Sequence, residues 1–153
     1  MLKKIVSGGQ TGVDRAALDA AISSNLQHGG WCPQGRRAED GRIAESYQLV
    51  ETPQSLYPQR TAWNVRDSDG TLILARKSLQ GGTLYTMQRA RKAHKPFLIV
   101  SPDDLAAVAQ VRQWIETNAI EVLNVAGPRA SSEPGIYAVA RRFLDALIPA
   151  CLP

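Results

Sequence analysis

Metal and disulfide chemistry have little to work with in this sequence. Two cysteines, Cys32 and Cys151, and two histidines, His28 and His94, are scattered singly through 153 residues. None stands at ligand spacing from another, so no protein-ligated metal is expected, and in a reducing compartment the thiols are spectators. Aromatic residues are also sparse, with three Trp, four Tyr and two Phe. A groove for single-stranded nucleic acid interleaves aromatics with basic residues so that bases can stack. Nucleic acid is therefore not the expected partner. No apolar run reaches the roughly 18 residues that a bilayer span requires. Met1 to Ser7 passes straight into glycines without the hydrophobic region of a signal peptide. A cytoplasmic protein with no membrane partner is expected. With no internal repeat or low-complexity tract to mark a linker, residues 1–153 read as one domain.

What is present is an ordinary globular balance, 44% hydrophobic and 21% charged, with a net charge of +4 and a pI near 9.3. The excess of positive charge favours an anionic partner. Arg36, Arg37, Arg42, Arg60, Arg66, Arg76 and Lys77 place most of it in the first two-thirds of the chain. The run Arg89 to Lys92 follows a helical pattern and reads as a solvated face.

Short apolar runs alternate with amphipathic segments, the pattern of parallel strands joined by crossover helices. The strong runs are Lys4 to Ser7, Thr71 to Ala75, Phe97 to Val100 and Val122 to Ala126; weaker ones near Gly30 to Cys32 and Gln48 to Glu51 are expected to extend the sheet. Helices are expected over Val13 to Leu26, Leu84 to Lys95 and from Arg60 toward Thr71. A further helix carries Leu105, Val108, Val111 and Ile115 behind an N-cap at Ser101. The last one begins near Ser131 to Pro134. The fold class is α/β, an open and mainly parallel Rossmann-like sheet with helices on both faces.

Four segments carry candidate chemistry. Gly8, Gly9, Gln10, Thr11 and Gly12, followed by Asp14 and Arg15, join a strand to a helix. Glycines let the backbone approach a ligand, and a helix start offers unpaired N–H groups to an anion. The loop has neither a Gly-Lys-Ser/Thr ending nor Gly-x-Gly-x-x-Gly, so it is not a P-loop or a standard dinucleotide fingerprint. Gly81, Gly82 and Thr83, with Thr86 one turn on, repeat the arrangement after a second strand. Arg36 and Arg37 sit in a polar loop as candidate anion clamps, since a guanidinium suits bidentate contact with phosphate. Arg60, Asn64 and Asp67 share one helix face, and Asp69 follows.

Taken together, in order and over nearly the whole chain, Gly8 to Asp19, Gly35 to Gly41, Arg60-Thr61, Asn64-Val65, Ser68 to Thr71 and Gly81 to Thr83 are similar to motifs of one family. The sequence resembles the molybdenum carrier family, including the molybdenum cofactor carrier proteins. That family lies in a Rossmann-like superfamily with DNA-processing protein A and the "lonely guy" phosphoribohydrolases. The resemblance implies a ligand pocket above the carboxyl edge of a parallel sheet, and self-association into a homo-oligomer. Arg60 stands nine residues before Asp69, as the corresponding pair does in the phosphoribohydrolases. Their glycine loop is followed within three residues by a catalytic glutamate, whereas Leu84, Tyr85 and Thr86 follow here. Cleavage through an oxocarbenium-like state needs a carboxylate near the ribose, which leaves Asp14, Asp67 and Asp69 as substitutes.

The leading expectation is a binding or carrier protein for a phosphate-bearing, nucleotide-like small molecule. The resemblance suggests molybdenum cofactor, whose metal arrives inside the ligand. The alternative is a nucleotide-processing hydrolase; a single-stranded nucleic-acid binder ranks third. Expected ligand contacts are Gly8, Gly9, Gln10, Thr11, Gly12, Asp14, Arg15, Arg36, Arg37, Arg60, Asn64, Asp69, Gly81, Gly82, Thr83 and Thr86.

Overall fold

The computed structural model describes residues 1–153. Its elements in chain order are β1 (Lys4–Val6), α1 (Val13–Ser23), β2 (Gln27–Gly29), β3 (Trp31–Cys32), β4 (Arg37–Ala38), β5 (Gly41–Arg42) and β6 (Val50–Glu51). Then follow α2 (Tyr57–Arg66), β7 (Gly70–Leu74), α3 (Gly81–Lys92), β8 (Phe97–Val100), α4 (Ala107–Thr117), β9 (Val122–Ala126) and α5 (Ile136–Ala150). The central sheet runs β2-β1-β9-β7-β8, and every neighbouring pair is parallel. The fold is α/β and Rossmann-like, as the alternating pattern implies.

From the middle of the sheet the chain moves outward in both directions, β1 through α1 to β2 and β7 through α3 to β8. Right-handed crossovers in opposite directions put their helices on opposite faces. Accordingly α1 packs on α5 and α5 on α4, while α2 packs on α3. Ala16, Ala17, Ala20 and Ala21 make a small-residue face on α1, which lets α5 come close with Phe143, Leu144 and Leu147. Ile5, Leu72, Leu74, Leu123 and Val125 supply the sheet's share of the same core.

Several elements differ from expectation. The weaker strands do not extend the central sheet but pair with each other as β3 and β6, Trp31 opposite Val50. Gly30 turns the chain away after β2: its φ is +126°, and a Cβ there would lie 2.4 Å from the Ser7 carbonyl oxygen. The edge strand is instead β2, a polar Gln-His-Gly stretch without an apolar run. Helix α4 begins at Ala107, not behind Ser101. There the polar side chains cap local turns, with the Asp103 N–H donating to Ser101 Oγ (3.4 Å) and the Ala106 N–H to Asp104 Oδ1 (3.0 Å). Helix α3 begins at Gly81, three residues early, so its glycine pair lies inside the first turn. A second, smaller core of Leu18, Cys32, Ala38, Ile43 and Leu49 forms beneath the segment between β3 and β6. No helix is long and apolar enough to cross a membrane.

Candidate functional site at the carboxyl edge

Strands β1, β9 and β7 lie side by side and end at the same edge, while the connections from β1 and β7 depart in opposite directions. This parting of the loops opens a crevice. It holds a cavity of about 690 Å³, within the usual range for small-molecule pockets. The loop after β1 lines it with Gly8, Gln10 and Asp14; α2 adds Tyr57, Arg60 and Asn64. The loop after β7 brings Lys77 and Gln80, the start of α3 brings Gly81, Gly82, Thr83 and Thr86, and the segment after β9 brings Arg129 and Glu133.

The start of α3 is an open helix end in this cavity. Gln80 holds extended backbone as the N-cap, and the first bond of the helix is Leu84 N–H to the Gln80 carbonyl, 3.2 Å. The N–H groups of Gly81, Gly82 and Thr83 therefore have no acceptor within the helix. Gly81 and Gly82 are exposed, and a Cβ added at either would meet nothing within 4 Å. Thr86 Oγ1 donates to the Gly82 carbonyl (2.9 Å), turning its hydroxyl along the helix.

At the start of α1 the protein supplies its own anion. The Val13 N–H donates to the Pro128 carbonyl (3.2 Å) and the Arg15 N–H to Gln10 (3.1 Å). Asp14 Oδ2 accepts from the Gln10 N–H at 3.3 Å and from Arg60 Nη1 at 2.9 Å. Burial pushes the Asp14 carboxyl above the ordinary aspartate range, against the opposing pull of Arg60. Arg60 crosses the β1 loop so closely that a Cβ at Gly8 would sit 1.7 Å from Nη1. Its guanidinium also lies over the Tyr57 ring, 5.3 Å from the centroid, and its Nε–H has no acceptor.

Residues 5–148 match the model of the Circularly permutated YpsA SLOG family. The chain belongs to this family. Its fold also matches the crystal structure of the putative molybdenum carrier protein from Syntrophus aciditrophicus, with a TM-score of 0.93 and 46% identity over 96% of this chain and 95% of that one. None of the curated proteins matches it.

Within this SLOG fold, nine of the sixteen residues expected as contacts line the cavity: Gly8, Gln10, Asp14, Arg60, Asn64, Gly81, Gly82, Thr83 and Thr86. The other seven lie outside it, for identifiable reasons. Gly9 and Gly12 have φ near +80°, and a Cβ at Gly12 would lie 2.4 Å from the Pro128 carbonyl oxygen. Thr11 ties loops together, donating to Glu39 (2.8 Å) and accepting from the Ala130 N–H (3.1 Å). Arg15 pairs with Asp40 at 2.6 Å. Arg36 is no anion clamp: it is buried, and its guanidinium donates to the carbonyls of Ile43, Ala44, Tyr47 and Leu49 at 2.8–3.1 Å. Arg37 donates to the Ser55 carbonyl and stacks over Tyr57 from outside. Asp69 precedes β7 at the opposite, amino edge of the sheet, where it accepts from the N–H groups of Glu121 and Val122.

Asn64 lines the cavity with its amide already engaged, bonded both ways to the Trp31 backbone at 2.8 and 2.9 Å. Asp67 takes the Trp31 Nε1–H and pairs with Arg66. Of the three acids considered as substitutes, only Asp14 reaches the cavity. Sequence reasoning did not single out Lys77, Arg129 or Glu133. Their signal was position in loops after β7 and β9, usable only once β9 is known to lie between β1 and β7. No group of three or more His, Cys, Asp or Glu is placed to hold a metal ion.

Proposed function

We propose that the protein binds and carries a small molecule with a terminal phosphate, nucleotide-like in size, and that molybdenum cofactor is the natural cargo. The observation that carries the reading is the start of α3. Three N–H groups without helical acceptors belong to residues that line one cavity with Arg60, Lys77 and Arg129. A helix start of this kind favours negative charge through both its free donors and its dipole. The carrier described for the relative from Syntrophus aciditrophicus supports the choice of cargo, and a phosphorylated pterin fits the volume. The residues named here act by binding alone: uniform recognition of a phosphate stabilises substrate and transition state equally and does not speed a reaction. A crystal structure with a bound nucleoside monophosphate tests the reading. Phosphate density at the Gly81, Gly82 and Thr83 N–H groups supports it; a phosphate bound elsewhere overturns it.

A further inference from the structure

Glu133 has no role in phosphate binding, yet it is held in the same cavity. It lies just before α5, its side chain is 8% exposed, and it lines the pocket. The positive group nearest to it is Arg76 Nη1, at 4.0 Å. Arg76 is committed elsewhere, to Asp103 at 2.6 and 2.9 Å. An ionised carboxylate withdrawn from water without donors is costly, and such groups are normally hydrogen-bonded. No protein donor lies within hydrogen-bond distance of the Glu133 side chain, and Glu133 lines the cavity, where a ligand can supply donors.

We infer that Glu133 is the specificity residue of this site and receives a pair of neighbouring hydrogen-bond donors from the part of the ligand remote from its phosphate. A carboxylate accepts two parallel bonds from donors set side by side. Two parts of a nucleotide-like ligand present them: the N–H and amino group on the edge of a 2-amino-4-oxo ring, as in guanine or a pterin, and the vicinal hydroxyls of a ribose. Glu133 cannot serve the phosphate, because like charges repel. The site thus has two poles, donors at α3 for the anion and an acceptor at Glu133 for the neutral end. A ligand satisfying both is selected over inorganic phosphate. This inference rests on the reading of the cavity as a phosphate-ligand site.

Calorimetric titration of the intact protein with inorganic phosphate, GMP, IMP and 2′-deoxy-GMP tests it. GMP should bind at least about 100-fold more tightly than phosphate, the lower end for two bonds to a charged acceptor. Loss of that gain with IMP assigns the donors to the base edge; loss with the deoxynucleotide assigns them to the ribose. Glu133→Gln should remove the gain and leave phosphate affinity unchanged or slightly higher. GMP binding no better than phosphate in the unaltered protein overturns the inference without needing a variant, as does a folded Glu133→Gln protein that keeps the GMP preference. Failure of both phosphate and GMP to bind overturns the reading of the cavity as well.

Discussion

The Asp14 carboxylate and the Arg60 guanidinium meet at 2.9 Å with side chains only 7% and 11% exposed. The pair joins the start of α1 to α2 across the floor of the cavity. Removing one partner from a buried pair leaves the other charge stranded, typically at a cost of about 3–5 kcal/mol. Arg60→Ala should therefore destabilise the protein by that order, and Asp14→Asn added to it should restore part of the loss. Urea denaturation of the two single variants and the double variant measures this; strictly additive losses would show that the two groups do not interact.

Arg36 should matter to folding and not to ligands. Four backbone carbonyls between Ile43 and Leu49 depend on its guanidinium. Arg36→Ala should cost at least about 3 kcal/mol, because a hydrogen bond to a charged group contributes about 1.5–3 kcal/mol and buried carbonyls are left unpaired. Arg36→Lys should recover little, since an ammonium has no planar fork. Thermal denaturation reads the loss, and phosphate affinity of the remaining folded protein should be unchanged.

These two arginines show how far the sequence was legible. Apolar runs mark β1, β7 and β9 because parallel strands covered on both faces are continuously hydrophobic; edge strand β8 carries such a run although Ile99 is exposed. The glycine loops mark the edge where the cavity lies. Spacing could not separate Arg60, which crosses Gly8 into the cavity, from Arg36, which turns inward to cap a loop. Both are arginines in polar segments, and what distinguishes them is tertiary. Glu133 was hidden for a similar reason, since strand order brings its loop to the site. The helix signal at Ser101 was overridden because Ser101 and Asp104 satisfy local turns and leave α4 to start at Ala107.

Burial pushes the Cys151 thiol from its ordinary 9.0 to about 11. The folded state therefore holds this proton more tightly than the unfolded chain. Stability from this source is fully present below pH 9 and is lost as the pH rises toward 11. Denaturation midpoints should fall across that window more steeply in the native sequence than in Cys151→Ala. Reaction with a thiol reagent at pH 8 should be slow until the protein unfolds. Equal pH slopes in the two proteins would contradict the assignment.

Free base should not be released from AMP, GMP or CMP at a rate typical of an enzyme. Asp14 is tied to Arg60, Asp67 and Asp69 lie outside the cavity, and Glu133 is assigned to accept hydrogen bonds from the neutral end of the ligand rather than to activate water. Chromatography of overnight incubations checks this. Turnover near about 1 per second, abolished by Arg60→Ala, would convert the carrier into a hydrolase.

The most direct measurement is native mass spectrometry of the protein purified without denaturant, beside Gly82→Val. A Cβ added at Gly82 meets nothing within 4 Å, so the variant should fold while its valine takes up space at the start of α3. The native protein should carry a bound, phosphate-containing small molecule and the variant none. Equal retention of the same molecule by a folded Gly82→Val protein would contradict this.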